Sequence, residues 1–156
     1  MGLSGRRARI SRETEERTLK RVIAVDYGDA RTGVAVSDLT GTMAGEAITI
    51  QEWNAEKLAQ RLAFFASERD AERFVLGLPK NMDGTEGPRA EKARQFAVLL
   101  EEASGLPVVF WDERRSTIEA HAILHAAGKK EKKHRANVDA VAATLLLESW
   151  LASRHE

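Results

Sequence analysis

The stretch Val22-Ile-Ala-Val-Asp-Tyr-Gly28 constrains this chain more than any other. Four consecutive apolar residues bounded by a glycine turn mark a buried strand. That strand ends in an acid, Asp26. A buried carboxylate is costly unless something pairs with it. The rest of the chain must therefore supply a partner for Asp26.

The strand is followed by a short turn, Gly28–Thr32, and a second strand over Gly33–Asp38, a spacing that favours an antiparallel hairpin. A third strand is expected at Ala47–Gln51. Asn54 can cap a helix to about Arg69, with Leu58, Leu62 and Phe65 on its apolar stripe. Phe74–Leu78 reads as a buried strand stopped by Pro79. The loop Lys80–Gly87 leads to Pro88, which suits the first position of a helix running to about Ala103. Val108–Asp112 is a further strand. Ser116-Thr-Ile-Glu119 has capping-box spacing and predicts a helix to about Ala127, stopped by Gly128. Asn137 is expected to cap a last helix to about Ser153. Three strands in succession, then alternating helix and strand, predict an α/β fold: a mixed five-stranded sheet flanked by helices.

At 156 residues the chain suits one domain, expected over residues 21–153, with residues 1–20 a flexible basic tail. It has no cysteine, which excludes disulfides and thiolate metal sites. No apolar run approaches the ~20 residues of a membrane span, and the first residues lack a secretory apolar core. These features point to a cytoplasmic protein with no membrane role. Net charge is zero but unevenly spread: residues 1–21 and 129–135 each carry +4. The remainder is therefore acidic. Basic segments on an acidic body suit a polyanion seated against metal-binding carboxylates, or else are simply solvated.

Two distant acids can reach the end of the first strand. Glu113 follows the end of another buried strand, and sites in such sheets gather at the carboxyl ends of strands. Asp139 lies just inside the last helix, whose nearly all-round apolar character predicts that it packs on the sheet. Three converging carboxylates repel one another unless divalent cations intervene, and hard oxygen ligands suit Mg²⁺ or Mn²⁺. Two such ions can activate water and stabilise the leaving oxygen of a phosphodiester. Each acid also has a plainer reading. Asp26 would bond the following turn, Glu113 would pair with Arg114 or Arg115, and Asp139 would favour the positive end of the helix dipole. His121 and His125 share a helix face, but no accompanying glutamate motif makes them a zinc pair.

Four blocks then resemble the YqgF family, also called RuvX, of RuvC-like nucleases with a ribonuclease H-like fold. They are Ala24–Gly28 with Arg31–Val36, Gly77–Glu86, Asp112–Arg114 with Ser116 and Thr117, and Val138–Ala140 with Ala142 and Ala143. They occur in family order across residues 21–150. The resemblance implies a metal-dependent nuclease with catalytic and metal-binding acids at Asp26, Glu113 and Asp139. It implies 5′-end maturation of pre-16S ribosomal RNA or, as an alternative, Holliday-junction resolution, where a homodimer would place two sites on one substrate. Lys80, Asn81 and Arg114 are candidate phosphate contacts, and Lys129, Lys130, Lys132, Lys133 and Arg135 a candidate grip on structured RNA or branched DNA. Two rivals of other classes are a nucleotide-binding ATPase, which would need a second lobe, and a non-catalytic nucleic-acid-binding module.

Overall fold

A computed structural model describes residues 20–115 and 135–154. Strands β1 (Arg21–Asp26), β2 (Arg31–Ser37) and β3 (Ala44–Gln51) form an antiparallel meander. The other edge of β1 pairs in parallel with β4 (Ala71–Leu78), and β4 pairs in parallel with β5 (Val108–Asp112). The order is β3-β2-β1-β4-β5, so the apolar run of the opening stretch is the central strand. Helix α1 (Ala55–Glu68) joins β3 to β4, and α2 (Pro88–Ser104) joins β4 to β5. A short 3₁₀ turn, Glu113–Arg115, follows β5, and α3 (Arg135–Arg154) ends the described chain. The mixed five-stranded sheet is the one expected.

Local chemistry sets most boundaries. Asn54 Oδ1 accepts from Lys57 N at 3.0 Å and opens α1. Pro88 begins α2, and Gly105 ends it at φ 71°, a left-handed cap that glycine adopts without strain. Some boundaries differ from expectation. β3 begins at Ala44 rather than Ala47 because Ala44 pairs with Ser37, and β4 begins at Ala71 rather than Phe74 because it pairs with Arg21. Ladder pairing outweighs the polar character of those residues. The last helix begins at Arg135, so Asn137 lies inside its first turn rather than at its cap. The helix expected over Ser116–Ala127 and the tail over residues 1–19 fall outside the described residues.

The period of two along β1 divides the core into two layers. Ile23 and Val25 join Phe74, Leu76, Leu58, Leu62, Phe96 and Leu100 against α1 and α2. Val22 and Ala24 face the opposite way, with Ala35 and Val75, and pack on Ala143, Leu146, Leu147 and Trp150 of α3. The small residues on this second face let α3 lie close to the sheet.

Closest of all is Gly33, which pairs with Asp26 across the hairpin. A Cβ at Gly33 would run into the backbone carbonyl of Asp139 and lie 3.3 Å from Ala143 Cβ. A strand glycine here marks a close approach of helix backbone. Gly33→Ala is expected to lower stability by about 2 kcal/mol through overpacking, read as a shifted urea midpoint. An unchanged midpoint would mean that α3 does not seat against β2 in this way.

Candidate active site

The strand alternation that sends Val22 and Ala24 toward α3 places Asp26 on the same face, at the carboxyl end of the central strand. Its neighbours across the sheet at this level are both glycines. Gly33 of β2 is its ladder partner, and Gly77 of β4 is one step beyond the Val25–Leu76 pair. Each glycine leaves room for something to approach Asp26. Over Gly33 lies the backbone of Asp139. Over Gly77 lies the Glu113 side chain, whose Oε1 is 2.5 Å from where a Gly77 Cβ would stand. Glu113 is set there by the 3₁₀ turn immediately after β5.

Asp26 and Glu113 are hydrogen-bonded to each other through their carboxyl groups, which requires a shared proton. Burial pushes Glu113 from an ordinary 4.5 up to about 7, and the charge of Asp26 adds to the rise. Burial raises Asp26 as well; the bond from Glu113 opposes that rise, while Asp139 reinforces it. The two carboxyls therefore titrate as a pair that shares one proton. A cavity of about 60 Å³ opens beside the pair, walled by Asp26, Tyr27, Asp29, Gly77, Pro79, Arg89, Lys92, Ala93 and Glu113.

Asp139 is close enough for its charge to act on Asp26, but its carboxylate lies 3.9 Å from Arg31 Nε. Burial raises its pKa and Arg31 opposes the rise. The three acids thus do not all touch: among the described residues, no three His, Asp or Glu side chains gather tightly enough to hold a metal ion by themselves. The physical reason lies in the charges. Two carboxyls can share one proton, whereas a third ionised group gains nothing by joining them and turns to the nearest cation.

Arg114 bonds Asp112. Its guanidinium takes Asp112 in a fork, with Nη2 2.6 Å from Oδ2 and Nε 3.1 Å from Oδ1, and reaches the Met82 carbonyl at 3.5 Å. That bond holds Asp112 below the usual carboxylate range. Arg114 therefore ties the end of β5 to the loop Lys80–Gly87. The loop is braced internally as well. Asn81 Nδ2 donates to Thr85 Oγ1 at 2.9 Å, Asn81 N donates to the Thr85 carbonyl at 2.8 Å, and Thr85 Oγ1 bonds Asp83 at 2.6 Å. Lys80 lies near enough to act on Asp112 and Glu86. Lys129, Lys130, Lys132 and Lys133, with His121, His125 and His134, lie outside the described residues; Arg135 begins α3.

Four residues of this neighbourhood have roles that the sequence alone leaves unassigned. Gly33 and Gly77 fall within the family blocks and make the space, and a glycine inside a strand is the signal that points to that role. Arg89 and Lys92 supply positive charge beside the acids, and nothing in their sequence context separates them from other helix-surface cations.

Most of the chain compares closely with proteins of one family. The family model RuvX, described as Holliday junction resolvase, matches residues 20–153. A relative in Halothermothrix orenii, named "Putative pre-16S rRNA nuclease", is 41% identical over 132 residues, 84% of this chain and 94% of its own length. One of the same name in Anaeromyxobacter dehalogenans is 44% identical over 135 residues, 86% of this chain and 98% of its own. Among solved structures, T. thermophilus RuvC in complex with a Holliday junction superposes with a TM-score of 0.58 at 12% identity, covering 87% of this chain and 96% of RuvC. The Fowlpox virus resolvase with Holliday junction DNA gives 0.56 at 11% identity, covering 87% and 99%. The last two likenesses show a shared RuvC-type fold. The family model and the relatives, spanning nearly the full domain, establish that the chain belongs to the RuvX family of nucleases.

Proposed function

We propose that this chain hydrolyses phosphodiester bonds in structured nucleic acid with the help of Mg²⁺ or Mn²⁺, and that its substrate is the 5′ end of pre-16S ribosomal RNA. The observation that carries the reading is the half-buried Asp26–Glu113 carboxyl pair at the strand ends. The donor set fits a hard divalent cation. Its oxygens meet across Gly77 of β4, from the ends of β1 and β5, and burial and mutual repulsion disfavour the doubly ionised state that a cation would stabilise. Asp26 and Glu113 would hold the ion, with Asp139 as the third acid from the far layer. When bound, such an ion supplies positive charge for the developing phosphoryl charge and favours deprotonation of water.

The chain's own residues do the rest. β1 and the 3₁₀ turn fix the two carboxyls. Arg31 stands beside Asp139 and opposes the rise that burial gives its pKa, and loss of the shared proton readies the pair. Arg114, locked to Asp112, braces the loop from which Lys80 and Asn81 would contact phosphate. The basic segment carrying Lys129, Lys130, Lys132, Lys133 and Arg135 would extend the grip along the backbone.

The test is a cleavage panel with Mg²⁺ or Mn²⁺, comparing precursor 16S RNA, single strands, duplex and four-way junction, with mass measured in solution. Cleavage near the mature 5′ end is expected. The family description favours one second reading, junction resolution, which would show as symmetric nicking of the four-way junction by a dimer. No cleavage of any member, together with a large thermal shift from ATP, would replace both readings with a nucleotide-binding one. Membrane attachment is not part of the proposal: among the described residues no helix is long and apolar enough to cross a membrane.

Gly77→Ala probes the site without touching an acid. The new Cβ would displace the Glu113 carboxyl, the flexible end of a side chain, and so separate it from Asp26. Cleavage is expected to fall about 10²-fold, the cost of misplacing a reacting group by about 1 Å, with thermal stability nearly unchanged. Equal activity in the variant would show that the close packing of Glu113 on β4 is irrelevant to catalysis.

A further inference from the structure

We propose that Arg89 and Lys92, tethered to Asp29 at the mouth of the acid-pair cavity, form a backbone-phosphate grip that positions the nucleic acid strand from the α2 side. The proposal rests on the nuclease reading above and adds positioning residues to it.

The two cations stand one helical turn apart at the start of α2, on the same face. Both line the cavity with Asp26 and Glu113. Asp29 comes from the β1–β2 turn, where Gly28 N bonds Thr32 Oγ1 at 3.3 Å and a Gly28 Cβ would strike the Arg31 carbonyl. From that tight turn its carboxylate meets both cations, Oδ1 3.3 Å from Lys92 Nζ and Oδ2 3.7 Å from Arg89 Nη1. One carboxylate thus holds two cations beside the acid pair. All three side chains are about 60% exposed, at 62%, 58% and 60% for Arg89, Lys92 and Asp29. Ion pairs so exposed contribute about 0–1 kcal/mol, so stability does not account for the cluster.

The cavity decides what the cluster can recognise. At about 60 Å³ it holds roughly two waters and is far too small for a base. A strand laid across the mouth can present only phosphate oxygens to the acid pair. Without cations there, the approaching phosphate would meet Asp26, Glu113 and Asp29 as like charges. Arg89, whose charge acts on both Asp26 and Glu113, offers a bidentate fork to a phosphate, and Lys92 a second point of attachment. The recognition is of backbone rather than sequence.

The test uses the full chain and three variants, Arg89→Gln, Lys92→Gln and the double variant. Binding of a labelled RNA hairpin and a four-way DNA junction is followed by anisotropy in chelator across a salt series. The double variant is expected to bind about tenfold more weakly, with the slope of log K against log salt reduced in magnitude by about 1.4–1.8, two phosphate contacts' worth. In cleavage assays KM should rise by a similar factor while kcat changes less than about twofold, and Arg89→Lys should recover part of the loss. An unchanged salt slope and KM would overturn the proposal, as would a fall in kcat at constant KM. If the wild-type chain binds with the full slope and the variants lose it, but nothing is cleaved, the grip stands and the nuclease reading fails.

Discussion

Asp26→Asn is expected to abolish cleavage, by on the order of 10³-fold or more, while the fold and nucleic acid binding survive. The substitution keeps the size of the side chain and most of its hydrogen-bonding capacity, so β1 and the packing of α3 over Gly33 have no reason to move. It removes the negative charge on which the site depends. Asp26 occupies the one position flanked by both glycines, touched by Glu113 on one side and by the field of Asp139 on the other. An amide there can accept a hydrogen bond but cannot hold a divalent cation as a carboxylate does. The measurement is single-turnover cleavage beside a binding isotherm and a thermal melt of the same preparation. Retained turnover in a preparation free of other nucleases would remove Asp26 from the chemistry. Loss of binding together with activity would assign it to the fold.

The second large effect is on stability. With cations chelated, raising the pH from about 5 to about 8 is expected to destabilise the protein through the acid pair, and Mg²⁺ or Mn²⁺ should reverse the loss at the upper end. Glu113 titrates near an ordinary 4.5 when unfolded and at about 7 when folded. Between those values the folded state holds more protons than the unfolded state, so stability falls as the pH rises through the window. Above it the full cost remains, up to about 3 kcal/mol at 1.36 kcal/mol per unit. For a domain of this size that is a fall in Tm on the order of 5–10 °C. The shared proton makes this a titration of the pair rather than of one residue. Glu113→Gln should flatten the curve and, at pH 8 in chelator, melt higher than the wild type. Divalent cation should raise Tm strongly at pH 8 and little at pH 5, where the proton competes for the same oxygens. A wild-type curve parallel to that of Glu113→Gln would mean that Glu113 is not held against Asp26.

The two effects belong to the same physical fact: burial makes two adjacent carboxylates unstable as a pair of anions. A site built that way is less stable when empty than a neutral one, and it binds cations because of it. The Gly33→Ala and Gly77→Ala outcomes separate the two jobs of the surrounding scaffold. Gly33 serves the seating of α3, and Gly77 the seating of Glu113.

Much of this molecule is legible in its residues taken in order. The apolar run before Asp26 announces a buried strand, Pro88 and Gly105 bracket α2, and Asn54 starts α1, because each depends on neighbours a few positions away. Asp26, Glu113 and Asp139 stand out because acids at the ends of apolar segments need a reason to be there. The polar starts of β3 and β4 are not legible, since only pairing with Ser37 and Arg21 makes them strand. The tertiary structure alone decides which acids touch. Asp26 meets Glu113 because Gly77 on the neighbouring strand leaves no Cβ in the way, while Asp139 turns to Arg31, and Arg89 and Lys92 arrive at the same cavity from the opposite layer. Sequence spacing carries the period of a strand or helix, but distances between residues far apart in the chain are set by packing, and charges sort themselves by those distances.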